Sequence, residues 1–218
     1  MPLRLVVYDA TDTAPVAIPR ITRGVDGSAE GTGGLTRFWR LGAGLHRGIG
    51  RADAALGARS WTEALAWAVA QSDAAGAPIA ELQLWGHGGW GYMAMGSERL
   101  DALTSRAVLG TQVDALARVL APGALVWLRC CSAFGTRAGQ DFAVSLADTL
   151  GARVAGHSYI IGIWQSGTHS VAPGSAAEWD PLEGVERDAH GKTLGAAVSS
   201  ARAPRTLHCF RPGLPAGW

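Results

Sequence analysis

Short apolar runs that end in glycine or polar residues alternate along this chain with segments whose apolar residues recur at helical spacing. This alternation constrains the fold more than any other feature. "LRLVVYD" (3–9), "ELQLW" (81–85), "ALVWLRCC" (124–131) and "ARVAGHSYIIGIW" (152–164) have the length and apolar density of buried strands. Between them, "SWTEALAWAVAQSD" opens with Ser60 followed by Glu63, a capping-box pattern, and repeats Trp61, Leu65 and Ala68 on one helical face. "TQVDALARVL" places Val113, Leu116, Ala117 and Leu120 on one face ahead of the stop at Pro122 and Gly123. "GQDFAVSLADTLG" spaces Phe142, Leu146 and Leu150 by four and ends at Gly151. Strand and helix in alternation predict an α/β fold with a mostly parallel central sheet, whose sites lie beyond the carboxyl ends of the strands.

Two regions break the pattern. Residues 22–60, with "GVDGSAEGTGG" at their head, are expected to form a glycine-rich insert, either mobile or an irregular hairpin, inside one domain spanning 1–218. After Trp164 the chain reads as loop, with a helix expected near Leu194 to Ala201 and a late strand at "TLHCF".

With 19 Lys and Arg against 18 Asp and Glu, the formal charge is +1, and no block of like charge suggests nucleic acid or a membrane surface as partner. A protein or peptide substrate is the expected partner; oligomeric state is left open. The apolar run before Tyr8 and Asp9 is too short for a signal peptide or a membrane span, so a cytoplasmic location is expected. Three cysteines, Cys130 and Cys131 adjacent and Cys209 remote, make no disulfide framework and no CxxC zinc pair. No metal or cofactor is implied; Cys209, in an apolar run, reads as packing.

Two of the strand ends carry chemistry. His87 follows the second run within "GHGGWG", and Cys130 and Cys131 end the third. The interval between them accommodates one loop, one helix and one strand, so His87 and Cys130 are expected to emerge from neighbouring strands on the same sheet edge. A cysteine nucleophile needs a base and backbone donors for the oxyanion. His87 supplies the base, Cys130 the thiol, and the amide of Gly88 a donor.

The segments "LWGHGG" and "LVWLRCCSAFGTRAGQDF" resemble the His-Gly and Cys loops of caspase-like (clan CD) cysteine peptidases, over roughly residues 79–165. The second is most similar to the bacterial branch, with Gly135 and Gly139 after the cysteine. The resemblance implies a three-layer caspase-like sandwich and a cysteine endopeptidase working through a His/Cys dyad. It also implies a substrate pocket shaped by "GIWQSGTH" and "AEWDPLEG", with Trp164, Asp180 and Glu178 as candidate substrate-binding residues and Glu183 as another acid able to pair with a basic side chain. The caspase surroundings Q-A-C-R-G are absent, so aspartate specificity is not implied. Spacing to Gly135 favours Cys130 as nucleophile, with Cys131 as the alternative, because adjacent residues of a strand face opposite ways.

Two other readings compete. "GHGGWG" and "AGHSYIIG" are similar to the oxyanion loop and nucleophile elbow of α/β-hydrolases, which would make Ser158 the nucleophile of a serine esterase. Ile160, however, stands where the elbow needs a small residue. Alternatively, nine tryptophans, among them Trp90, Trp164 and Trp179, suit a non-catalytic caspase-like module that binds peptide or protein in an aromatic groove.

Overall fold

A computed structural model describes residues 1–14, 22–30, 34–107, 109–211 and 213–218. The chain runs through β1 (Leu3–Asp9), β2 (Thr22–Arg23), β3 (Ala29–Glu30), α1 (Thr36–Gly48), β4 (Ala54–Ala58), α2 (Trp61–Ala75) and β5 (Ile79–Trp85). There follow β6 (His87–Gly89), β7 (Tyr92–Met95), β8 (Glu98–Asp101), α3 (Thr104–Ala107), α4 (Gly110–Val119) and β9 (Leu120–Arg129). The remainder is α5 (Thr136–Leu150), β10 (Arg153–His157), β11 (Trp164–Gln165), β12 (Thr168–Val171), β13 (Val185–Arg187), β14 (Thr193–Ala196) and β15 (Leu207–His208).

Among the described residues, six strands form the central sheet in the order β12-β10-β9-β5-β1-β4, parallel except for β12, which runs antiparallel to β10. Helices cover both faces. Leu5, Val7, Leu82, Leu84, Val126, Leu128 and Val154 point to one side, where α2, α4 and α5 bury Leu65, Leu116, Phe142 and Leu146 against them. Val6 and Trp85 point to the other, under Ala43 and Trp39 of α1. On that same side Trp127 and Ala155 pack against Leu207 near the C-terminus. These strands are apolar on both faces because both faces are buried, as a parallel sheet requires. The fold is therefore an α/β layer structure with a mixed, mostly parallel sheet flanked by helices.

Local signals explain the helices. Ser60 caps α2 by accepting the N–H of Glu63, and Gly76 ends it in the left-handed region. Helix α4 stops at Val119, and the strand that follows carries Pro122 and Gly123 as exposed residues where the β5–β9 register slips from Ile79↔Leu120 to Glu81↔Leu125.

Three expectations are corrected. The segment 22–60 is more than the hairpin or mobile insert expected: a hairpin, β2–β3, occupies 22–30, residues 31–33 lie outside the described residues, and the rest carries the helix α1 and the parallel edge strand β4, which pairs with β1 from Leu5↔Ala54 to Asp9↔Ala58. Its glycines hid α1, whose buried face is narrow: Ala43 and His46, with Trp39 beside them. No helix forms at Leu194 to Ala201; Thr193–Ala196 is β14, paired with β13. The single loop expected between His87 and the next helix is instead the three-stranded meander β6-β7-β8, turned at Gly91, whose φ of 79° suits glycine. No helix among the described residues is long and apolar enough to cross a membrane.

Candidate active site

Strand order fixes where a site can lie. From β1 the chain crosses outward to β4 over one face, then returns over the other to β5 on the opposite side of β1, so connections diverge at the carboxyl ends of β1 and β5. Such a switch point opens a crevice. Asp12 follows β1, His87 follows β5, and Cys130 and Cys131 follow β9 at that same edge.

The register brings the His and Cys segments level: Trp85 of β5 is partnered with Arg129 of β9. One residue beyond each lie Gly86 and Cys130. The chains then touch. A Cβ built on Gly88 would lie 2.7 Å from the carbonyl oxygen of Cys131 and 2.8 Å from Sγ of Cys130, a separation that only glycine permits. His87, Gly88, Cys130 and Cys131 are thus brought together.

The side chains divide between two environments. The imidazole of His87 is one-third exposed, and its Nε2 lies 2.9 Å from Oδ2 of the mostly buried Asp12. Asp12 also accepts the backbone N–H of Gly34 and of Leu35 at the head of α1, at 2.6 and 3.1 Å. Trp39 of α1 meets the imidazole edge-on at 5.3 Å. With Nε2–H donated to the carboxylate, Nδ1 keeps its lone pair and is the nitrogen able to take a proton.

Cys130 continues the inward phase of Val126 and Leu128 and is 1% exposed within the apolar core. Burial, with Cys131 beside it, pushes its thiol well above the ordinary range. Cys131 is half-buried, its Sγ 4.0 Å from the carbonyl of Ile161, and burial raises its thiol to about 11. Neither thiol is hydrogen-bonded to His87. Ser132, the next residue, has a φ of 48°, in the left-handed region that a serine rarely occupies. It is held there by its N–H to the Tyr159 carbonyl at 2.8 Å and its hydroxyl to the Gly27 carbonyl at 2.6 Å. A strained turn, fixed from both sides, therefore follows Cys131 directly.

The candidate substrate-binding residues are scattered. Trp164 is 41% exposed and edge-on to His208, three residues beyond the Ile161 carbonyl that touches Cys131. Glu178 and Asp180 are exposed, and Asp180 turns its carboxylate to the N–H of Leu182. Glu183 is engaged: Oε1 accepts from Ser158 and lies 3.0 Å from Nε2 of His169, which together hold its carboxyl below the usual range against the opposing effect of burial. Trp179 stacks between His169 and Phe134, and Trp90 lies against Gly27 and Gly135. Of these three tryptophans, only Trp164 is an open aromatic surface. Ser158 is fully buried and donates to Glu183, with no imidazole bonded to its hydroxyl.

Two residues of this region escaped the sequence reading. Asp12 stands in "DATD", where nothing distinguishes it from a solvated loop acid until the fold returns β5 beside β1. Arg129 ends β9 almost wholly buried, donating to Gln83, Gln165 and the carbonyl of Cys209, with Trp127 and Trp85 at 4.7 and 5.3 Å from the guanidinium carbon. Its acceptors are all neutral, and burial lowers its pKa to about 10. A single arginine in an apolar run was the available signal. Arg129 ties the C-terminal segment under the cysteine-bearing strand end.

No metal-holding group of three or more His, Cys, Asp or Glu occurs among the described residues. The sequence matches no protein-family model and no curated protein.

Proposed function

We propose that this chain is a caspase-like cysteine endopeptidase of the cytoplasm, with the flanked sheet as a caspase-like three-layer sandwich and a His/Cys dyad at its carboxyl edge. The observation that carries this reading is the contact of Gly88 with Cys130 and Cys131, which joins the His-Gly segment to the cysteine segment at the carboxyl edge of the sheet, one strand from the β1/β5 switch point.

The accessible Cys131, rather than the core-packed Cys130, is the nucleophile in this proposal, because a sulfur sealed among Leu, Met and Phe side chains has no approach to a substrate. Sγ of Cys131 attacks the scissile carbonyl carbon while its proton passes to Nδ1 of His87. The amide of Gly88 serves the oxyanion. The proton then goes to the departing amine as the C–N bond breaks, and water hydrolyses the thioester, returning the thiol. A thiol raised to about 11 is neutral at rest, so proton transfer accompanies attack instead of preceding it. Asp12 fixes the tautomer and stabilises the imidazolium.

The test is covalent labelling. A peptidyl electrophile such as an acyloxymethyl ketone should modify Cys131 in the wild type and lose that reaction in His87→Ala. Equal labelling in both proteins removes His87 from the reaction. Labelling of Ser158 by a fluorophosphonate would instead support the esterase reading.

A further inference from the structure

Helix α1 touches the site with one face and shows an unexpected one to solvent. Trp39, Ala43 and His46 turn inward. Phe38, Leu41, Leu45 and Ile49 just beyond the helix recur at three- and four-residue spacing and are 53, 71, 44 and 50% exposed. They form one continuous apolar stripe beside the buried face, where a solvated helix would carry polar residues. The side away from the buried face is basic: Arg37 borders the stripe and Arg40 and Arg47 lie further round, all three exposed, and no acidic residue lies on the helix. No carboxylate among the described residues pairs with any of the three. Between leucines and arginines lie Gly44 and Gly48, one turn apart, where an added Cβ would meet nothing within 4 Å.

We infer that this outer face of α1 is a docking surface for an acidic amphipathic helix of a partner protein. Apolar positions of the partner cover Phe38, Leu41 and Leu45, and its carboxylates meet the arginines, which lack acidic counterparts here. A second copy of the helix would bring three more arginines and no acid. A lipid surface is a weaker match, because the basic residues border the stripe on one side only, its other side being bedded on the sheet. The glycine-opened backbone favours close approach of another helix. This inference does not depend on the chemistry at Cys131, although Trp39 and the Asp12-held helix start connect the docked helix to His87.

The experiment uses the full chain and two synthetic helical peptides with the same leucine stripe, one flanked by glutamate and one by lysine. Fluorescence anisotropy should show binding of the glutamate peptide only, weakened by rising salt and by roughly tenfold or more in Leu41→Ser/Leu45→Ser. The exposed positions make that variant fold as the wild type does, which circular dichroism checks. Equal binding of both peptides, no binding, or undiminished binding to the variant overturns the inference. So does sedimentation showing a dimer that Leu41→Ser/Leu45→Ser dissociates, or flotation with phosphatidylserine vesicles in the absence of peptide binding.

Discussion

The carboxylate of Asp12 holds Nε2 of His87 at 2.9 Å and, through the N–H groups of Gly34 and Leu35, also holds the head of α1. One side chain therefore orients the imidazole and seats the helix that packs against it. Asp12→Asn retains a hydrogen-bonding side chain of the same shape and loses the charge, so it favours the wrong tautomer and leaves the imidazolium unsupported. On the proposed reaction, kcat should fall by about 10²-fold or more with KM little changed. Steady-state kinetics with thermal unfolding check this: an unchanged kcat in a folded variant makes Asp12 only a helix anchor.

Gly88 and Gly44 form a matched pair of alanine substitutions. At Gly88 the new methyl group would strike the Cys131 carbonyl and Cys130 sulfur, neither of which is a flexible chain end, and overpacking of this kind costs about 1–3 kcal/mol. At Gly44, on the exposed side of α1, it meets nothing and should raise stability by about 0.5–1 kcal/mol through helix propensity. Urea unfolding reads both. A neutral Gly88→Ala would mean the two loops are not in contact.

The central elements were legible in the sequence: β1, β5 and β9 from apolar runs buried on both faces, and α2, α4 and α5 from apolar residues at helical spacing, although β9 already begins at Leu120, ahead of Pro122 and Gly123. Helix α1 was not, because Gly42, Gly44 and Gly48 fall within it and, together with the glycine-rich stretch before it, read as loop. Strand β14 was read as helix because its pairing with β13 across a loop leaves no local signature. The site was half legible. His87 and the cysteines announce themselves by residue type and by following strands, and the alternation of Val126, Leu128 and Cys130 assigns Cys130 to the core only once the core face is known. Asp12 depends on the order in which β1 and β5 pair, information that no local window holds.

Stability should fall with acid well above the carboxylate range. His46, against Trp85 and near Arg129, is depressed to about 4 by burial, and His157, accepting from Trp127, to about 3 by burial. Both are neutral in the folded protein and regain a proton when unfolded below their ordinary value of 6.5. Their contribution is thus complete above 6.5 and is lost progressively as pH falls toward the folded values, by several kcal/mol on the order-of-magnitude scale of linkage. Glu183, held below its ordinary value, adds a further loss when pH drops beneath 4.5. Unfolding free energies measured from about pH 8 to about pH 5 should decline; a flat profile contradicts the buried neutral histidines.

Iodoacetamide should distinguish the adjacent thiols. Cys131 is half-buried and Cys130 sealed, so peptide mapping after limited alkylation should find Cys131 modified and Cys130 intact. The rate should climb about tenfold per pH unit and level off only near 11, since burial holds the Cys131 thiol protonated until then. Preferential modification of Cys130, or a plateau near neutrality, would reverse the assignment of the two environments.

Whether Cys131 is the nucleophile of a peptidase is decided by hydrolysis of an internally quenched peptide library by the wild type, Cys131→Ala and Cys130→Ala, side by side. The wild type and Cys130→Ala should cleave, and a folded Cys131→Ala should not. Cleavage by Cys131→Ala at the wild-type rate would contradict this role of Cys131, as would a folded wild type that cleaves no member of the library.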